Sequence, residues 1–325
     1  MGVLAAGLAP STLGAAARRV EELGFGELWV PEDYYDTGAF AAAGVALAAT
    51  TRLPVGIGVL SLLTRHPAVL AMETATLSDA YGGRLQVGFG TGLTQSLDDM
   101  GLRPAAPVRA VRESFDAVTQ LLRGGTVSGT FGPHSLGSAR LAHPPAVVPA
   151  RSVGGLGPQM LRLAGGVADG VILSSLASPA YVRWACERIA EGAERAGRVD
   201  LPEVRVFAWL GVGADAAAAR AELRAVVSGA LGFIGPGPLT AADGYDDELR
   251  ALIDAARAQG GSVTVPDEWL DQLVVTGDGA QRQDAIRARL DAGADRVVLC
   301  PTPGARFAEM IEIVGAAGAA VEETP

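Results

Sequence analysis

The chain contains no lysine: all 26 of its basic side chains are arginine. A Schiff-base aldolase, a pyridoxal-phosphate enzyme and a P-loop nucleotidase each need a lysine amine, so all three are excluded. Cysteine is equally scarce. Cys186 and Cys300 are too few for a disulfide framework or a cysteine-based zinc site. The three histidines, His66, His134 and His143, are scattered with no HxH or HExxH pair, so no metal site is expected. The net charge of −10 argues against a nucleic-acid partner. No apolar run is long enough for a membrane span, and Met1 to Ala9 lacks the basic start of a signal peptide. The chain reads as soluble and cytoplasmic.

What is present is a rhythm. Short apolar strands alternate with helical patterns almost end to end. Strands are expected over Val3–Leu8, Glu27–Val30, Leu53–Leu60, Leu85–Phe89, Val147–Val153, Gly170–Leu173, Val204–Val212 and Arg296–Cys300. Ser11 or Thr12 is expected to cap the first helix, which Gly24 ends. Three stretches echo one another: those around Gly24, Gly166 and Gly293 each run from a helix end through glycine and an acidic residue into an apolar strand. Eight such units predict an α/β fold, a (β/α)8 TIM barrel filling 1–325 as one domain. Two segments interrupt the rhythm. Residues 126–141 carry turn residues and predict a hairpin insertion. Residues 228–281 open on Gly235-Pro236-Gly237-Pro238 and predict a helical insertion that serves as a lid or binding wall.

Glycine is abundant where such strands end. The third ends Gly56-Ile57-Gly58-Val59-Leu60-Ser61, the fourth Gly88-Phe89-Gly90-Thr91-Gly92. The fifth runs into Gly154-Gly155-Leu156-Gly157-Pro158-Gln159. One such cluster alone is a tight turn. Three at neighbouring strand ends describe a bare backbone wall, and glycines before a helix N-terminus form an anion cradle. Together they suit a flat ring with a phosphate tail. The second strand ends Glu32-Asp33, paired carboxylates whose mutual repulsion holds a proton near neutral pH. An equally open reading makes one of them a helix cap or an arginine partner. His66, Trp184, Trp209 and Trp269 read as structural, Asp98 and Asp99 as solvated.

The blocks GFGELWVPED, RLPVGIGVLSLLTRHPAVLAMETATLSDAYGGRLQVGFGTG, GGLGPQMLRLAGGVADGVILSS and ADRVVLCPTPG resemble, in that order, the bacterial luciferase-like flavin and deazaflavin oxidoreductases. The third is most similar to the coenzyme F420-dependent branch, the methylenetetrahydromethanopterin reductase-like proteins. The resemblance spans roughly residues 15 to 315. It implies a non-proline cis peptide at Gly58-Val59 behind the deazaflavin ring. Ser61 belongs to the same wall. It implies ring contacts at Thr91 and Gly92, and a phosphate-binding turn of Gly154, Gly155, Gly157, Pro158 and Gln159. Glu32-Asp33 matches an acidic residue followed by histidine in many relatives, and Asp33 replaces that histidine. Leu93 stands where several relatives place a carboxylate. Both departures remove side chains that handle protons.

The resemblance implies hydride transfer between F420 and a small organic substrate, at a CH–NH, CH–OH or C=C group, with Glu32 or Asp33 handling the proton. It also implies a homodimer formed through barrel helices. An FMN-dependent monooxygenase and a non-catalytic (deaza)flavin-binding protein are the alternatives. A sugar-phosphate isomerase fits the fold alone, against the absence of lysine and the few polar strand ends.

Overall fold

The computed structural model describes residues 1–212, 215–302 and 307–322. Its strands are β1 (Gly2–Leu4), β2 (Glu27–Val30), β3 (Val55–Ser61), β4 (Leu85–Gly90), β5 (Val127–Phe131), β6 (His134–Ala139), β7 (Ala150–Gly154), β8 (Gly170–Leu173), β9 (Glu203–Leu210) and β10 (Arg296–Pro301). Eight of them close into a parallel barrel in the order β1-β10-β9-β8-β7-β4-β3-β2. Strands β5 and β6 form a separate antiparallel ribbon. The fold is therefore the (β/α)8 barrel that the alternating pattern implies. Pro303 and Gly304, which close the last block of resemblance, lie outside the described residues.

Strand ends depart from the sequence expectation for local reasons. β1 stops at Leu4 because Gly7, at φ +69°, turns the chain toward Pro10. β7 starts only at Ala150, since Pro149 has no N–H to give the ladder. β9 ends at Leu210, after which Gly211 N–H turns to Val275 O. The first helix, Pro10–Glu22, begins before Ser11 and Thr12. Proline's fixed φ suits the first helical position, so Ala9 is the cap and Thr12 Oγ1 donates back to its carbonyl at 2.8 Å.

Two apolar cores result. The larger lies between the strands and the helices around them. The smaller fills the barrel itself: Leu4, Trp29, Ile172, Phe207, Val298 and Cys300, with Ala6, Val59 and Trp209 packed on it. Trp29 is fully buried and meets Phe207 edge-on, with ring centroids 5.7 Å apart. Space for the indole comes from β3. A Cβ on Gly56 would fall inside the Trp29 ring, and one on Gly58 would stand 2.9 Å from both Trp29 and Phe207. Below this layer Glu27 and Arg205, both buried, form an ion pair at 3.2 Å, and Gln86 Nε2 reaches the same carboxylate at 3.5 Å.

The 228–281 stretch begins inside helix Ala216–Ile234 and continues through Pro238–Ala241, Asp246–Gln259, a 3-10 turn at Asp267–Trp269 and Leu270–Leu273. Helix Gly279–Asp291 begins at its end. Tyr245 stacks on Trp269 with centroids 4.2 Å apart. Arg220 holds Asp267 and Asp271. Arg289, 1% exposed, donates to the carbonyls of Gln272, Ala177 and Ala285, and burial pushes its pKa down to about 10. No helix among the described residues is long and apolar enough to cross a membrane.

Because Gly56 is where the indole lies, Gly56→Ala is expected to cost about 1–3 kcal/mol of stability, the usual range for overpacking. In a Trp29→Leu background the same change is expected to cost measurably less. Urea unfolding of the four proteins gives the coupling directly.

Candidate functional site

The barrel register brings the three glycine stretches together. β3, β4 and β7 are neighbours, with Ser61 opposite Gly90 and Phe89 opposite Val153. Their meeting point is Val59. The peptide before it, Gly58-Val59, is cis, and the β3–β4 register shifts between Ile57 and Leu60. A Cβ on Gly154 would stand 2.9 Å from Val59 Cγ1, and one on Gly90 3.2 Å from Cγ2. A Cβ on Gly88 would strike Ile172 Cδ1 at 2.5 Å. Glycine at these positions therefore admits Val59 and Ile172. The partly exposed Val59, Ala6 and Trp209 pack over the barrel core as an apolar surface, with Cys300 buried beneath them. Burial pushes the Cys300 thiol up to about 12, so it is no nucleophile.

Hydroxyls on this rim are engaged with backbone. Ser61 Oγ donates to Thr91 O at 2.6 Å and accepts from Leu63 N–H at 3.1 Å. Thr91 Oγ1 donates to Gly92 O at 3.0 Å. Gly92 has φ +80°, a left-handed turn that glycine adopts freely. Beyond β7, a Cβ on Gly155 would collide with Met160, whereas Gly157 faces open space. Gly157 is the N-cap of helix Pro158–Val167, with proline in the first turn and no side chain capping it. The free N–H groups of that turn, which includes Gln159, carry the positive end of the helix dipole toward the mouth.

The strand-two acids separate into two environments. Glu32, nearly buried, is held by both terminal nitrogens of Arg65, which also lies over the Phe40 ring at 5.7 Å and reaches Glu73 at 3.7 Å. That is the arginine-partner alternative for Glu32. Asp33 lines a small crevice with Ala5, Leu8, Leu13, Asp36 and Thr37. Desolvation raises its pKa, and repulsion from Asp36 and Glu32 adds to the shift. Arg65 and Tyr34 stand beside these acids, and no residue pattern in the sequence marks either of them. Their only signal was position, in the loops that leave β3 and β2. Tyr34 Oη donates to Thr64 Oγ1 at 3.3 Å. Asp98 is exposed and pairs with Arg103. No cluster of three or more His, Cys, Asp or Glu able to hold a metal occurs among the described residues.

His66 caps helix Pro67–Ala80: its Nδ1 accepts from Ala68 N–H at 3.2 Å. Its Nε2–H therefore donates to Ser135 O, while His134 Nε2–H donates to Leu63 O at 2.9 Å. The β5–β6 ribbon is tied by these two bonds to the loop that leaves β3.

The model of the luciferase-like monooxygenase family matches residues 2–296. The chain belongs to that family. Among curated relatives, this luciferase-like protein is 30% identical over 307 residues to a 5,10-methylenetetrahydromethanopterin reductase of Methanolobus tindarius, covering 92% of this chain and 93% of the other. An F420-dependent glucose-6-phosphate dehydrogenase of Nakamurella multipartita is 32% identical over 204 residues, covering 58% and 60%. The solved coenzyme F420-dependent tetrahydromethanopterin reductase of Methanopyrus kandleri superposes with a TM-score of 0.81 at 24% identity, over 97% of this chain and 96% of that one. The last comparison establishes the shared fold.

Burial lowers the pKa of His134 from its ordinary 6.5. The folded protein thus binds fewer protons there than the unfolded chain, so stability is lost as pH falls below about 6.5. Thermal melts between pH 7.5 and 5.5 are expected to show a smaller loss for His134→Gln, whose amide still donates to Leu63 O, than for the parent.

Proposed function

We propose that this luciferase-like protein is an F420-dependent oxidoreductase acting on a small organic molecule at the barrel mouth. The observation that carries the reading is the convergence of β3, β4 and β7 on Val59 beside an uncapped helix N-terminus. The apolar floor fits the face of a planar ring, and the open Gly157 turn fits an anionic tail. F420 supplies a two-electron hydride at C5 of its ring. Gly58, Val59 and Ser61 support the ring from behind, and Thr91 and Gly92 border it. Gly154, Gly155, Gly157, Pro158 and Gln159 hold the phosphate through main-chain N–H groups and the helix dipole. The reacting group is CH–NH, CH–OH or C=C. The segment 228–281 excludes water as a lid, and 126–141 braces the rim as a hairpin insertion.

Proton handling belongs to the end of β2. Glu32 is held by Arg65, and desolvation raises the pKa of Asp33, the other carboxylate of the pair. With both cysteines unpaired, a cytoplasmic setting suits the chain.

Fluorescence titration of the purified protein is expected to show saturable F420 binding and no tight FMN binding. Gly154→Val is expected to displace Val59 and weaken F420 about tenfold or more, which is about 1.4 kcal/mol. Tight FMN binding without F420 binding favours the flavin monooxygenase reading instead.

The protein is a homodimer in this reading. Helix Ala39–Ala49 contains no polar side chain, yet Ala41, Val45 and Ala48 are exposed. Val69 and Met72 extend that face from helix Pro67–Ala80. A helix apolar all round belongs in an interior. Light scattering after gel filtration is expected to give a dimer mass, and Val45→Arg with Met72→Arg a folded monomer by circular dichroism.

A further inference from the structure

The proposed oxidoreductase still needs a group that touches the reacting molecule and gives or takes a proton. Asp33 lines a separate crevice with Leu8, Leu13 and Asp36, Glu32 is held by Arg65, and Leu93 offers no proton. One ionisable side chain does reach the seat. A Cβ built on Gly92 would stand 3.0 Å from Tyr34 Oη, 3.0 Å from Ser61 Cβ and 3.2 Å from Ser61 Oγ. The phenol thus lies over the β4 turn, in the space glycine leaves, beside two of the residues assigned to the ring. Its ring is half-buried, while that of Tyr35, the next residue, points to solvent at 81% exposure.

The geometry points to Tyr34 as the catalytic acid of this site, delivering a proton from Oη to the substrate. The inference rests on the F420 reading above. With F420 bound and supplying a hydride to one atom of a C=N, C=O or C=C group, the electron pair of the broken π bond would move to the other atom. That atom takes the proton from Tyr34 Oη. The phenolate left behind is neutralised from water through Thr64 Oγ1, its hydrogen-bond partner. The reverse reaction uses the same atoms with Tyr34 as base.

Two features equip this tyrosine. Arg65 directly follows Thr64, the hydrogen-bond partner of Tyr34, and so sets a cation one residue along the chain from that partner. The Glu32 carboxylate fixes that guanidinium through two parallel bonds, which makes Glu32 and Arg65 positioning residues for Tyr34.

The test uses full-length protein carrying tyrosine labelled with carbon-13 at Cζ, and oxidised F420 as the probe. The Tyr34 line is the one missing from Tyr34→Phe. At saturating F420, followed independently by fluorescence quenching, the Tyr34 line is expected to move while those of Tyr81 and Tyr245 stay. Tyr34→Phe is expected to keep F420 affinity within about twofold, because the phenol donates a proton rather than anchoring the ring. On raising the pH from about 7 to about 11, the parent's F420 affinity is expected to fall at least tenfold and that of Tyr34→Phe to stay level. A Tyr34 line that is stationary while quenching proves binding overturns the assignment, as does an identical alkaline profile in Tyr34→Phe. Absence of quenching by F420 overturns the cofactor reading, and the role of Tyr34 with it.

Discussion

One indole sets the geometry of this barrel. Trp29 occupies the centre of the parallel sheet and has no acceptor for its Nε1–H among the described residues, so its ring contacts hold it. Its volume requires Gly56 and Gly58 on the adjacent strand, and Phe207 completes the layer from the far side. Above that plug the same exchange recurs. Val59 projects into space left by Gly88, Gly90 and Gly154. Large side chains on some strands are matched by bare backbone on others, and the mouth inherits its flat floor from that matching.

Charge is handled by arginine throughout. Arg205 neutralises Glu27 beneath Trp29 and lies over its ring at 5.5 Å. Arg151 pairs with Asp169 through two nitrogens and lies over Phe115. Arg65 does the same for Glu32 and Phe40. A planar fork that bonds a carboxylate in its plane and an aromatic ring on its face performs both tasks at once, which an ammonium group does not. The absence of lysine thus has a structural counterpart in these sandwiched guanidinium groups.

The architecture was legible because parallel strands buried on both faces read as short apolar runs between helices. β2 and β8 emerge with the bounds their sequences imply. The convergence of the glycine stretches was legible from their place at successive strand ends. Less legible was what each glycine is for. Gly56, Gly58 and Gly88 are filled by Trp29, Phe207 and Ile172, which come from other strands of the barrel, whereas Gly157 faces open space. A sequence shows that a side chain is missing but not what occupies the gap. Arg65 was hidden for the same reason: its partner Glu32 lies 33 residues away, a separation no local pattern reports.

Arg289 divides the segment above the barrel into unequal halves. By joining the Gln272 and Ala177 carbonyls it rivets the 270–273 turn to the loop after β8. Upstream, Gly235 and Gly244 take left-handed φ values of 76° and 78° around the short helix Pro238–Ala241. In the proposed function, a lid built this way would keep its Arg289 edge fixed and turn at its glycine-bounded corner.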